Sequence, residues 1–102
     1  MAGMESLQYE FDGGRVLPPF APALVGVVAS GNLEVLLEPA SDAQSQVTVR
    51  TSADGFGERW RAVIDRFFAH HDVAVRIAIN DFGATPPTVL LRLEQAIEAA
   101  FA

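Results

Sequence analysis

The stretch that most constrains this chain is Val25 to Glu38, where two runs rich in Val, Leu and Ala flank Gly31-Asn32. A two-residue Gly-Asn connection between β-type runs is the signal of a hairpin with a type II′ or I′ turn. With that loop length, Ser30 pairs with Leu33, Val28 with Val35 and Gly26 with Leu37, while Ala29 lies opposite Glu34 on the other face. Ser30 is then the last strand residue before the turn, at the rim of the more apolar face. A hydroxyl at the end of a sheet can take a bulky group without disturbing a core.

The flanking segments supply partners for that hairpin. Leu7, Tyr9 and Phe11 alternate with Gln8 and Glu10, so residues 5–11 read as a half-buried strand. Asp12-Gly13-Gly14 ends it, and Pro18, Pro19 and Pro22 make residues 12–22 an irregular connection expected to cover one sheet edge. The apolar run Ala23–Ser30 suggests a strand buried on both sides or near the sheet centre. Pro39 stops the next strand, 40–46 is a polar loop, and 46–51 alternates again, with Arg50 expected across from Glu34 or Glu38. A three-stranded antiparallel unit is the expectation for this part.

Helical spacing begins at Phe56, which shares one stripe with Trp60, Val63, Ile64 and Phe67. Ser52, Asp54 or Gly55 is the expected cap, and His70-His71-Asp72 the end. Val73, Val75, Ile77 and Ile79 predict a strand over 72–80 whose neighbour the sequence does not name. Asn80-Asp81-Phe82-Gly83 makes a turn, and Thr85-Pro86 opens a helix to about Phe101 through a hydroxyl cap and a proline at the first helical position. The order β-β-β-β-α-β-α predicts an α+β fold: a mainly antiparallel sheet of about five strands with two helices packed on one face. A chain of 102 residues has room for one such domain.

Composition narrows what the domain can do. The cationic side chains are seven arginines and no lysine, against thirteen acids, for a net charge of −6. That balance disfavours nucleic acid and anionic membranes and suits a partner with a basic docking surface. It also serves simply to keep a small domain in solution. Cysteine is absent, which excludes disulfides, thiolate zinc sites and a cysteine nucleophile. No apolar run approaches the roughly eighteen residues of a membrane helix and no signal segment opens the chain, so a cytoplasmic location is the expectation.

Most candidate motifs reduce to structure. Asp81-Phe82-Gly83 spells the metal-binding triplet of protein kinases, but the chain lacks the lysine and the glycine-rich loop that the chemistry needs. His70 and His71 are adjacent on a helix and diverge, which suits a helix end better than a metal pair. Glu34 and Glu38 share a strand face without any sign of burial, and Trp60 belongs to the core stripe; Phe20 and Phe82 stay open between core and contact roles. A serine beside a hairpin turn is ordinarily just a turn residue. Yet biotin and lipoate both attach to lysine, which this chain lacks, so a covalent carrier arm here would have to hang from a hydroxyl.

Three stretches together resemble one family: VGVVASGNLEVLLEP at 25–39, VRTSADGFGERW at 49–60 and INDFGATPPTVLLRLEQA at 79–96. They are similar to the acyl carrier (delta) subunit of malonate decarboxylase. The citrate lyase acyl carrier is similar around the serine, but the DGF and NDFGATP segments favour the malonate family. The Asp-Ser-Leu tripeptide of ordinary phosphopantetheine carriers is missing. The resemblance implies a covalent 2′-(5″-phosphoribosyl)-3′-dephospho-coenzyme A esterified to Ser30, in the turn context of Gly31 and Asn32. Asn32 stands where the family pattern leads one to expect Asp, which keeps a turn former and removes a charge.

The implied cycle puts acetyl on the cofactor thiol, exchanges it for malonyl and loses carbon dioxide to regenerate acetyl. The chain itself is then a non-catalytic carrier. Its implied partners are the acetyl/malonyl transferase and decarboxylase subunits and a prosthetic-group transferase. Two other readings remain at this point: an unmodified α+β interaction module, and a small hydrolase using Ser30.

Overall fold

The computed structural model of the chain describes residues 5–26, 33–52, 55–84 and 86–101. Its elements are β1 (Glu5–Phe11), β2 (Ala23–Val25), β3 (Leu33–Pro39), β4 (Ser45–Thr51), α1 (Gly57–His70), β5 (Val75–Asp81) and α2 (Pro86–Phe101). The order along the chain is the expected one. The strands form one five-stranded sheet, β1-β4-β5-β3-β2. The β4–β5 pair is parallel and the other three are antiparallel. The expected α+β class, with a mainly antiparallel sheet of five strands and two helices, is what is found.

The expected three-stranded unit of β2, β3 and β4 is not found, because β5 lies between β3 and β4. Glu34 faces Asn80, and Arg50 faces Ser6 and Asn80, so Arg50 meets neither glutamate across a ladder. The reason is geometric. At about 1.5 Å per residue the fourteen-residue α1 is roughly as long as a seven-residue strand, so it returns the chain along the sheet once. The next strand must therefore start where β4 started and run parallel to it. Val75, Ile77 and Ile79 are 0%, 3% and 1% exposed, a degree of burial that the central position provides.

One face of the sheet carries the core. Val35, Leu37, Val47, Val49, Val75, Ile77 and Ile79 meet Trp60, Ile64 and Phe67 of α1 and Val89, Leu93 and Ala96 of α2. Alternation sends Gln8, Thr48, Arg50, Arg76, Asn80 and Glu34 to the opposite face, which is mostly polar and carries only a small apolar group, Leu24, Leu36 and Ala78. Phe20 is partly buried against the core and touches the Phe101 ring, with centroids 5.1 Å apart.

Residues 12–22 do not run along one edge, as the proline pattern suggested. The two strands that they join lie at opposite edges, so the segment crosses the end of the sheet. Gly14 N–H donates to Ala43 O, and Ala74 N–H donates to Arg15 O. The fifth strand begins at Val75 rather than Asp72 because residues 71–74 are occupied by this crossing and by the end of α1.

The N-cap of α1 is Phe56, which makes no side-chain cap bond, so neither Ser52 nor Gly55 plays the expected role; Asp54 lies outside the described residues. The start of the helix is held instead from the sheet, where Tyr9 OH donates to Gly57 O at 2.7 Å. At the other end His70 Nδ1 lies 2.9 Å from Arg66 O. His71 Nε2 lies 2.7 and 2.8 Å from the two Glu94 carboxylate oxygens, which ties α1 to α2. The histidines thus serve the helix end, as their spacing indicated. Pro86 opens α2 as expected, while Thr85 lies outside the described residues.

Phe67 is fully buried at the helix–sheet contact, so Phe67→Ala is expected to cost about 3–5 kcal/mol in denaturant unfolding. Burial raises the Tyr9 hydroxyl above its ordinary pKa, against the lowering effect of Arg61 and with a smaller upward push from Glu5. The folded state therefore holds this proton more tightly than the unfolded chain. The Tyr9 contribution to stability is complete below about pH 10 and is lost as pH climbs through the folded value. Tyr9 is the one tyrosine in the chain. The tyrosinate absorbance of the folded protein should thus appear at higher pH than that of the unfolded protein, and Tyr9→Phe should remove this alkaline loss.

Candidate functional site

The strand directions gather particular chain segments at one end of the sheet. β2, β4 and β5 finish there at Val25, Thr51 and Asp81, and β3 starts there at Leu33. The chain from Thr51 to α1 and from Asp81 to α2 is short, so both helices also begin at this end. Gly26 and Leu33, the described residues on either side of 27–32 in the sequence, both lie at this end. Ser30, Gly31 and Asn32, the residues singled out by the sequence, lie outside the described residues.

The ladder on either side of them corrects the expected hairpin. Val35 pairs with Val25 and Leu37 with Ala23, where a two-residue loop would have paired them with Val28 and Gly26. The register is displaced by three residues, so the connection is longer than Gly31-Asn32. An odd displacement also exchanges the face on which each β2 residue lies. Ser30 is midway in sequence between the partners Val25 and Val35.

Gly26 is what this register requires at its end. Its φ of +89° is a conformation that side chains disfavour, and a Cβ there would lie 2.1 Å from Leu33 O. The described strand stops one residue earlier, at Val25. A glycine inside an apolar strand pattern is the signal of such a bend or close approach. Gly26 was legible as that signal, although the Gly31-Asn32 pair looked like the stronger one.

Beside this segment Asp81 organises the rim of the sheet. It pairs with Leu33 in the ladder and is 3% exposed. Thr51 Oγ1 donates to its Oδ2 at 2.8 Å, and the Gly83 and Ala84 N–H groups donate to its Oδ1 at 3.2 and 2.8 Å. Ser52 N–H donates to its carbonyl. The carboxylate is thereby committed to the turn, so the Asp81-Phe82-Gly83 triplet is structural. Phe82, left open by the sequence, is exposed here, and the exposed Phe56 carries the Arg59 guanidinium 5.0 Å from its ring centre. Asn80 Nδ2 donates to Glu34 Oε1, while Glu38 lies toward the far end of β3. Among the described residues no group of three His, Asp or Glu side chains is placed to hold a metal ion, and no helix is long and apolar enough to cross a membrane.

The comparisons with known proteins agree with one another. The family model described as malonate decarboxylase delta subunit matches residues 21–100. The malonate decarboxylase acyl carrier protein of Burkholderia cepacia is 54% identical over 95 residues, covering 92% of this chain and 88% of that protein. Its counterpart in Stenotrophomonas maltophilia strain K279a is 52% identical over 102 residues, covering 97% and 96%. Among solved structures, a chain of a Pseudomonas malonate decarboxylase hetero-tetramer in complex with malonate superposes with a TM-score of 0.82 at 47% identity, covering 93% of this chain and 97% of that one.

Gly26→Ala should destabilise the protein by about 2 kcal/mol or more, since both the backbone angle and the Leu33 carbonyl oppose a Cβ. Thermal unfolding measures this. Ala29→Gly, a substitution that adds no Cβ, is the control.

Proposed function

The chain belongs to the malonate decarboxylase delta subunit family, and on that premise we propose that it works as a non-catalytic acyl carrier whose prosthetic group hangs from Ser30. The observation that carries this reading is the family match over residues 21–100, which spans the serine stretch Ser30-Gly31-Asn32-Leu33-Glu34-Val35-Leu36. Chemistry narrows the attachment further. The chain has neither cysteine nor lysine, so a thiol must come from a prosthetic group and that group must be linked through oxygen. The group proposed is phosphoribosyl-dephospho-coenzyme A, in phosphoester linkage to Ser30 Oγ.

Two features of the chain suit such a group. The strands that flank Ser30 end at the rim of the sheet, so an arm rooted between them need not displace the core. Arg92 on α2 has a buried Nε without a hydrogen-bond partner among the described residues, a donor of the kind that phosphate satisfies. When bound, the group supplies a thiol on a long flexible arm, to which acetyl and malonyl units are attached as thioesters. The chain supplies the root of the arm: Gly26 and Asp81 lie at the sheet end from which the serine segment departs, and Gly31 and Asn32 follow the serine in the sequence.

The carrier's contribution is proximity. An arm fixed at one point converts each meeting with a partner site into an intramolecular one, at an effective concentration of about millimolar for short flexible links. Acyl exchange and decarboxylation belong to partner subunits of the same assembly, and attachment of the arm to a separate transferase. The net charge of −6 suits partners with basic docking surfaces. Residues 1–102 act in this scheme as a single carrier domain.

Intact-mass measurement of the protein produced with its prosthetic-group transferase tests the reading. The wild type should gain the mass of phosphoribosyl-dephospho-coenzyme A, and Ser30→Ala should gain nothing while keeping its circular dichroism. A gain that persists in Ser30→Ala, or no gain in the wild type, would overturn it.

A further inference from the structure

Arg92 lies on the second turn of α2, about 9 Å along the axis from the helix start. Its side chain is half-buried. Nη1 donates to Gln95 Oε1 at 2.9 Å, while Nε is buried with no partner. The ion pairs found among the described residues, Arg61–Asp65 and His71–Glu94, do not involve it. A guanidinium keeps its charge at any pH a protein survives, and a partly desolvated charge without a counter-ion is costly. The chain holds thirteen acids, yet this arginine is met by a neutral amide.

The direction of the side chain follows from the helix. Glu94 reaches back to His71 at the end of α1. Positions 92 and 94 are about 200° apart around a helix axis, so Arg92 turns away from α1. On that side α2 packs over β3 and β2. β2 is the edge strand that leads through Gly26 to Ser30.

We propose that Arg92 is an anion-binding residue that holds a phosphate of the Ser30-linked arm against the flank of α2. The inference rests on the Ser30 reading and adds a resting place for the arm. The planar guanidinium of Arg92, whose Nε has no hydrogen-bond partner among the described residues, can match two oxygens of a phosphate or pyrophosphate, which a lysine would meet only as a point charge. Gln95 fixes the plane of the fork by occupying Nη1. The contact is strong enough to park the arm and weak enough to release it to a partner, since a charge-assisted hydrogen bond is stronger than a neutral one but still modest in net terms.

The test compares wild-type protein made with and without its transferase, alongside loaded Arg92→Gln and Arg92→Lys. The Arg92 Nε–H resonance, assigned by its loss in Arg92→Gln, should shift on loading. A nucleotide pyrophosphatase, followed by intact mass, should cut the arm about tenfold faster on Arg92→Gln than on wild type, as a contact of about 1.4 kcal/mol implies. Arg92→Lys should fall between them. If the arm is present by mass but the resonance does not move and the cleavage rates agree, the Arg92 contact is refuted and the Ser30 attachment stands. If no mass is gained, both fall.

Discussion

The whole arrangement depends on the placement of β5 in the middle of the sheet. A strand with Val75, Ile77 and Ile79 on one face gains most from having a neighbour on each side and helices above it. The single helical return through α1 makes β5 parallel to β4, and the antiparallel pairing with β3 follows on its other edge. From that one placement comes the shared starting end of both helices, the end at which β2 finishes and β3 begins.

Buried polar residues finish the two ends of the central parallel pair. At one end Ser45 Oγ donates to Val73 O and accepts from Val75 N–H, which fastens the start of β4 to the start of β5. At the other, Thr51 and Asp81 join the strand ends and satisfy the amides of the following turn. These groups are buried but paired, so they add rigidity without the penalty of unmade hydrogen bonds. A carrier needs that rigidity at the root of its arm, because the tether confers proximity only if its origin stays fixed relative to the docking surface.

Charge and exposure divide the molecule in a way that suits a shuttle. The polar sheet face, the exposed Phe56 and Phe82, and the surplus of acids lie outside a closed core. Arg92 stands apart as a cation turned inward beside the edge strand. Holding the arm loosely there would protect it between visits, which reconciles a flexible tether with an orderly sequence of acyl transfers.

Much of the fold was written in local periodicity. Alternation identified β1, β4 and β5, the apolar run after Gly31-Asn32 identified β3, the Phe56–Phe67 stripe identified α1, and Pro86 marked the start of α2, because these patterns depend only on neighbours along the chain. The family resemblance likewise lay in contiguous stretches, with Ser30 in one of them. Pairing was decided only in three dimensions. Alternation says that 75–81 is a strand but not that it separates β3 from β4, and Gly31-Asn32 looked like a tight turn, whereas the observed register is displaced by three and leaves no room for a Cβ at Gly26. The sequence by itself determined which segments are strands and helices and which residue types are available for chemistry; the tertiary structure alone decided their neighbours, because strand order depends on burial shared between residues far apart in the chain.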